Sequence, residues 1–288
     1  MKKIAIITDS NAGISQEEAK KLGITVLPMP FTINQQEYFE DINLSQSDFF
    51  KMLEDGATVF TSQPSAGTIT KLWDHLLETH DEILHIPMSS GLSGSCQTAL
   101  LLANEYNGKI EVVDNQRISI TLKHDILTAL RLVEDGKSAK EIKKVLEENK
   151  FKSSIYITVP TLEYLKRGGR VTKTAAALGG LLKIKPILTI QGEKLDAFEK
   201  TRTMAKAYKI MATALVKDVE ERIDPIHSGA KCSIYVAYSK DETIGLEMIE
   251  YLKKYFPNHT IEMAPLSLSI ACHTGPNAIG IGACLNID

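Results

Sequence analysis

An α/β fold built as two α/β domains is what the sequence predicts, and three observations carry it. Short Ile- and Val-rich runs alternate with helical patterns along most of the chain, turn residues bound each run, and the alternation restarts after about residue 149. Strand then helix, repeated, implies a mostly parallel sheet covered on both faces. With 288 residues the chain is long enough for two domains, expected over residues 1–150 and 151–288.

In chain order, residues 4–7, 25–27, 83–86 and 110–113 read as buried strands. Ser15 with Glu18 starts a first helix. Over residues 66–79, Ile69, Leu72, Trp73, Leu76 and Leu77 recur at helical spacing and make one apolar stripe. Ser138 and Glu141 form a capping box ahead of Ile142, Val145 and Leu146. Beyond the boundary, strands are expected at 154–159, 187–190, 232–237, 260–263 and 279–285. Helices are expected at 173–182, 204–219 and 243–255, with a surface loop over 224–231.

Composition excludes several classes. The 33 Lys and Arg against 36 Asp and Glu give a formal net charge of −3, which offers polyanions no general attraction, so nucleic acid is not an expected partner. The first nine residues reach an acid too soon for a signal peptide, and no apolar run approaches ~18 residues, so a cytoplasmic protein is expected. Cys96, Cys232, Cys272 and Cys284 form no CxxC pair and read as buried free thiols. His75, His80 and His85 are five apart and do not share a helix face, so no metal site is expected.

Two hydroxyl-rich loops stand out, Thr61-Ser62-Gln63-Pro64-Ser65 and Ser89-Ser90-Gly91-Leu92-Ser93-Gly94-Ser95, each opening a helix. If they meet at the carboxyl edge of the sheet, their backbone N–H groups and helix dipoles converge on one anion. Neither loop contains Lys or Arg, which suits a single carboxylate better than a polyphosphate. Helix capping is the bland alternative for these serines. The segment Gly91-Leu92-Ser93-Gly94-Ser95 falls one residue short of a nucleophile elbow, which leaves a serine hydrolase using Ser93 as the alternative function. Gly136-Lys137-Ser138 lacks the first glycine of a P-loop, where Arg131 stands. His273, in what reads as a polar turn over residues 272–278, can hydrogen-bond an acid or be purely structural. Arg167-Gly168-Gly169-Arg170 reads as a helix C-cap with solvated arginines or as a functional segment.

Together with Thr8-Asp9-Ser10, Leu162-Glu163-Tyr164-Leu165-Lys166, Lys185-Pro186-Ile187-Leu188 and His273-Thr274-Gly275-Pro276, these segments resemble the DegV family, bacterial fatty-acid-binding proteins that serve a fatty acid kinase. The resemblance implies an N-terminal three-layer lobe with a mostly parallel sheet, a C-terminal lobe with a mixed sheet, and one long-chain fatty acid held between them. It implies that Thr61, Ser62 and Ser93 bind the carboxylate, that Gly94 contributes backbone, and that His273 joins the polar network. It further implies no cofactor, a carrier rather than an enzyme, and a separate kinase that phosphorylates the bound acid. Transient contact with a membrane surface belongs to the same expectation. Arg170 and Arg202 are candidates for docking that kinase or screening the transferred phosphate. One departure is Asn277, which stands where the family commonly has glycine; Asn tolerates positive φ better than most side chains.

Overall fold

A computed structural model describes residues 2–170, 172, 184–192, 194–225 and 231–287. The helix expected at 173–182 and the middle of the loop at 224–231 lie outside the described residues.

Four parallel strands form the first sheet, in the order β2 (Thr25–Leu27), β1 (Ile4–Asp9), β6 (Glu82–Ile86), β7 (Ile110–Val112). Because side chains alternate along a strand, Ala5, Ile7 and Ile83 face one side and Ile6, Leu84 and Ile86 the other. Helices α3 (Ala66–Leu77) and α4 (Ser95–Ala103) bury Ile69, Trp73, Cys96 and Ala99 on the first face. On the second lie α5 (Ile120–Glu134) and α6 (Ala139–Glu148), the latter opened by the capping box of Ser138 and Glu141. The expected three-layer arrangement is present. Helix α1 (Gln16–Leu22) begins at Ser15, whose hydroxyl accepts from the Glu18 N–H, and stops at Gly23 with φ 70.

A second, three-stranded antiparallel sheet was not foreseen: β4 (Gln36–Tyr38), β3 (Phe31–Ile33) and β5 (Val59–Thr61). With α2 (Gln46–Glu54) it buries Phe31, Ile33, Phe49, Phe50 and Val59 against Leu268, Ala271 and Cys272 of a late helix, Leu268–Thr274. The expected turn at residues 272–278 is therefore corrected. His273 and Thr274 lie in the last turn of that helix, and only the residues after it turn back into the final strand.

The third sheet is mixed and has six strands. Its order is β10 (Asp196–Thr201), β9 (Lys185–Ile190), β8 (Ser153–Thr158), β13 (Ile279–Leu285), β11 (Cys232–Tyr238), β12 (Ile261–Pro265). Only β11 and β12 run parallel. One face packs through Tyr156, Ile187, Val236 and Ile281 onto α8 (Met204–Asp218) and α9 (Glu242–Leu252). The short helix α7 (Glu163–Gly168) follows β8, and α10 is the Leu268–Thr274 helix. All four cysteines are buried and free. No helix among the described residues is long and apolar enough to cross a membrane.

Candidate functional site

The other face of the six-stranded sheet is the floor of a cavity of about 230 Å³. Central strand β13 puts Gly280 between Ile157 and Ala237 on its neighbours, and Gly282 between Ile155 and Tyr235. Two glycines two residues apart share one face, so the sheet carries a trough there, walled by Ile155, Ile157 and Ile190. Ile118, Leu165, Leu195 and Leu266 complete a largely aliphatic chamber.

The rim is polar. Thr61 and Ser62 come from the end of β5, Ser93 and Gly94 from the turn into α4, and His273 from α10, and all five line the cavity. Gln63 ties the two hydroxyl loops together: its Nε2 donates to Thr98 Oγ1 at 3.1 Å, and a methyl group added at Gly94 would fall 2.8 Å from its Oε1. Thr61 Oγ1 and His273 Nε2 share a hydrogen bond of 2.8 Å. Burial, helped by the Arg170 guanidinium, holds the His273 ring down to a pKa of about 4, so it is neutral at physiological pH and meets an anion as a hydrogen-bonding group. Ser93 Oγ accepts from the Ser95 N–H at 3.2 Å, which leaves its proton free to donate. Among the described residues Ser93 has no histidine or carboxylate hydrogen-bond partner.

The loops meet by a route that differs from expectation. Only the Ser89–Ser95 loop follows a strand of the parallel sheet; the Thr61 loop follows β5 of the small antiparallel sheet. Helix α3 also does not aim at the cavity. Its N-cap Ser65 satisfies the Thr68 N–H and is absent from the lining, so that loop contributes through Thr61, Ser62 and Gln63 alone.

Two carboxylates hold this arrangement in place. Asp9, at the end of β1, accepts from the Asn11 N–H at 2.9 Å and from the Met88 N–H at 2.8 Å, fixing the chain that leads to the Ser89 loop. Burial raises Asp9 to about 6 against those hydrogen bonds. Glu40 accepts from the Leu268 N–H at 2.9 Å and so caps the start of α10, whose far end carries His273. Burial pushes it up to about 7.

A family model for DegV, described as an uncharacterised protein family, matches residues 3–286. The chain belongs to the DegV family. A DegV domain-containing protein of Deinococcus radiodurans is 30% identical over 279 residues, covering 96% of this chain and 97% of its own. A DegV family protein of Thermus thermophilus with fatty acid binding has a solved structure similar to this one at TM-score 0.88 and 31% identity, over 99% of this chain and 100% of that one. DegV of Bacillus subtilis, a fatty acid binding protein, matches at TM-score 0.87 and 29% identity, over 99% and 100%.

In this DegV chain the segment from Leu162 to Arg170 works by close approach. A methyl group at Gly168 would fall 1.9 Å from His273 Nδ1, and one at Gly275 would fall 2.4 Å from the Tyr164 ring. Both glycines let α7 lie directly on α10, so the Gly pair is more than a C-cap. Arg170 is exposed, lines the rim and donates from Nη1 to the Gly168 carbonyl at 2.5 Å. Arg202 is exposed and not part of the cavity. Asn277, in the turn after α10, adopts φ 58, a left-handed conformation that asparagine tolerates better than most side chains. Asn11, Ser119 and Ser269 also line the cavity, and no local pattern marks them; Gln63, which ties the walls, lies inside the first hydroxyl-rich loop.

Proposed function

We propose that this chain binds one long-chain fatty acid, tail in the glycine-floored chamber and carboxylate at the rim, and presents that carboxylate to a separate fatty acid kinase. The single observation that carries this is one apolar cavity whose mouth gathers the Thr61, Ser62 and Ser93 hydroxyls with a neutral His273. The fatty-acid-binding relatives from Thermus and Bacillus support it. On this reading the protein is a cytoplasmic carrier of two lobes divided near residue 150, and the kinase supplies the ATP chemistry that yields an acyl phosphate. Arg170 at the rim, and Arg202 outside it, would face that partner or the transferred phosphate. Transient contact with a membrane surface would load the lipid.

Energetics divide the roles. At about 0.8 kcal/mol per buried CH₂ a sixteen-carbon tail supplies on the order of 10 kcal/mol before association costs, whereas each neutral hydrogen bond to the head supplies about 1 kcal/mol. The tail therefore holds the ligand, and the rim orients it. Denaturing mass spectrometry of protein delipidated and then offered C14 to C18 acids is expected to recover about one equivalent per chain; recovery of none removes the proposal. Thr61→Ala combined with Ser93→Ala is expected to keep most of the lipid and to lose acyl-phosphate formation with the cognate kinase. Undiminished turnover would take those hydroxyls out of the mechanism.

A further inference from the structure

Helix α5 begins inside the cavity. Ile118, Ser119, Ile120 and Thr121 all line it, and the Thr121 methyl lies 3.3 Å from where a side chain at Gly282 would begin. This fifteen-residue helix has no side-chain cap at its N-terminus. Ser119, its N-cap residue, is 7% exposed, lines the cavity and has no hydrogen-bond partner for its hydroxyl among the described residues. Its backbone N–H donates to the Asn11 carbonyl at 2.7 Å, which brings the Asn11 side chain to the same wall. Asn11 is already engaged: its Oδ1 accepts from the Ser267 and Ser269 hydroxyls, and its amide lies against the Met88 sulfur at 2.8 Å and hydrogen-bonds the Asp9 carboxyl. Ser269 sits four residues before His273 on α10 and lines the cavity too, so this polar patch lies about one helical turn, roughly 5–6 Å, in from the rim.

An unsubstituted tail passing here would bury the Ser119 hydroxyl and a helix N-terminus against CH₂ groups, leaving donors unmet. A chain carrying an oxygen would meet them. We propose that Ser119, with the α5 N-terminus, forms a second polar subsite within the chamber that takes a hydroxyl or keto oxygen carried on the acyl chain. The inference rests on the fatty-acid reading and narrows it to a ligand class that includes oxygenated fatty acids.

The test is pairwise competition of stearate against 3-, 5- and 6-hydroxystearate on the full chain, scored by mass spectrometry of the bound acid. The unmodified protein is expected to prefer at least one positional isomer over stearate. Ser119→Ala is expected to lower the affinity for that isomer about fivefold, the effect of one hydrogen bond, and to bind stearate at least as tightly as the unmodified protein, because the unmet hydroxyl is gone. Ser119 has φ 57, where alanine is strained, so Ser119→Gly removes the same hydroxyl without that strain and is expected to show the same loss. Equal isomer ratios in all three proteins would overturn the subsite while stearate binding kept the carrier reading intact. Binding of none of the four acids by the unmodified protein would overturn both.

Discussion

The parallel sheet and the mixed sheet contribute to the cavity in different ways. From the parallel sheet come strand ends: Asp9 and Asn11 follow β1 and the Ser89–Ser95 loop follows β6, so this half supplies hydrogen-bonding groups. From the mixed sheet comes a face: Ile155, Ile157, Ala237, Gly280 and Gly282 supply space and apolar surface. Loops at strand ends can vary in chemistry without disturbing the ladder, whereas a strand face can change only in volume. Substitutions in the first half should therefore alter how the ligand is oriented, and substitutions in the second should alter which ligand fits.

The sharpest way to break this division is at Gly168, which belongs to neither sheet but seats His273 at the rim. Gly168→Ala places a methyl group 1.9 Å from Nδ1, so the ring must leave and the Thr61 hydrogen bond with it. The expected result is a destabilisation of about 1–3 kcal/mol together with loss of acyl-phosphate formation. Gly169→Ala is the control. There φ is 66 and no atom lies within 4 Å, so the cost is backbone strain of about 1 kcal/mol and the rim is untouched. Thermal melts and the kinase-coupled assay on both variants check this; equal behaviour of the two would show that close approach to His273 is unimportant.

Gly168 also shows where sequence reasoning stops. The strands of both large sheets other than β10 were legible as short apolar runs bounded by turn residues, whereas β10, Asp196-Ala197-Phe198-Glu199-Lys200-Thr201, has no such run and was missed; the helix at Ala66 was legible because its polar face is exposed. The hydroxyl loops were legible because Ser, Thr and Gly cluster there. Helix α10 was not, since Leu268, Ser269, Ala271, Cys272 and Thr274 are all buried and no polar face gives it a period. Strands β3, β4 and β5, Phe31-Thr32-Ile33, Gln36-Glu37-Tyr38 and Val59-Phe60-Thr61, are three residues each and stand outside the repeated strand-then-helix pattern that marks the equally short β2 and β7. In α5 the polar residues look like surface yet are buried: Asp125 receives Arg117 Nη1 at 2.6 Å, and His124 lies between Tyr235 and the Leu285 carbonyl. Those partners are supplied by the tertiary fold, as are the purposes of Gly168 and Gly280, and local pattern carries no trace of them.

Gly280 sharpens the comparison from the other side. A methyl group there would meet the Tyr156 and Ala237 carbonyls and Ile157 Cβ at 3.7–3.8 Å, ordinary contact, so Gly280→Ala should fold normally and make the chamber shallower. Exclusion of one CH₂ costs about 0.8 kcal/mol, roughly fourfold in affinity, for the longest acid that fills the chamber. Shorter acids should bind as before, and the acids recovered from a C12 to C18 mixture should shift to shorter chains. An unaltered chain-length profile would mean that the trough in β13 does not receive the tail.

The smallest effect is one of slope, and it concerns Glu40, which links the small sheet to the start of α10. Its folded pKa of about 7 lies above the ordinary 4.5, so between those values the folded state holds more protons than the unfolded state. Stability from this group is thus fully present below pH 4.5 and lost as pH rises through 7. His85, His124 and His273 act oppositely: each is lowered to about 4 from 6.5 by burial, so their contribution is present above 6.5 and lost on acidification toward 4. Those histidines are common to the parent and to Glu40→Gln and cancel in the difference. At pH 4.5 folded Glu40 is protonated and, like Gln, offers one carbonyl acceptor, so the two proteins should be about equally stable there. Because the variant has no carboxylate to ionise, it should gain on the parent steadily up to pH 7 and then hold that difference. A gap in melting temperature that stays constant from pH 4.5 to 8 would mean that Glu40 does not ionise within its cap.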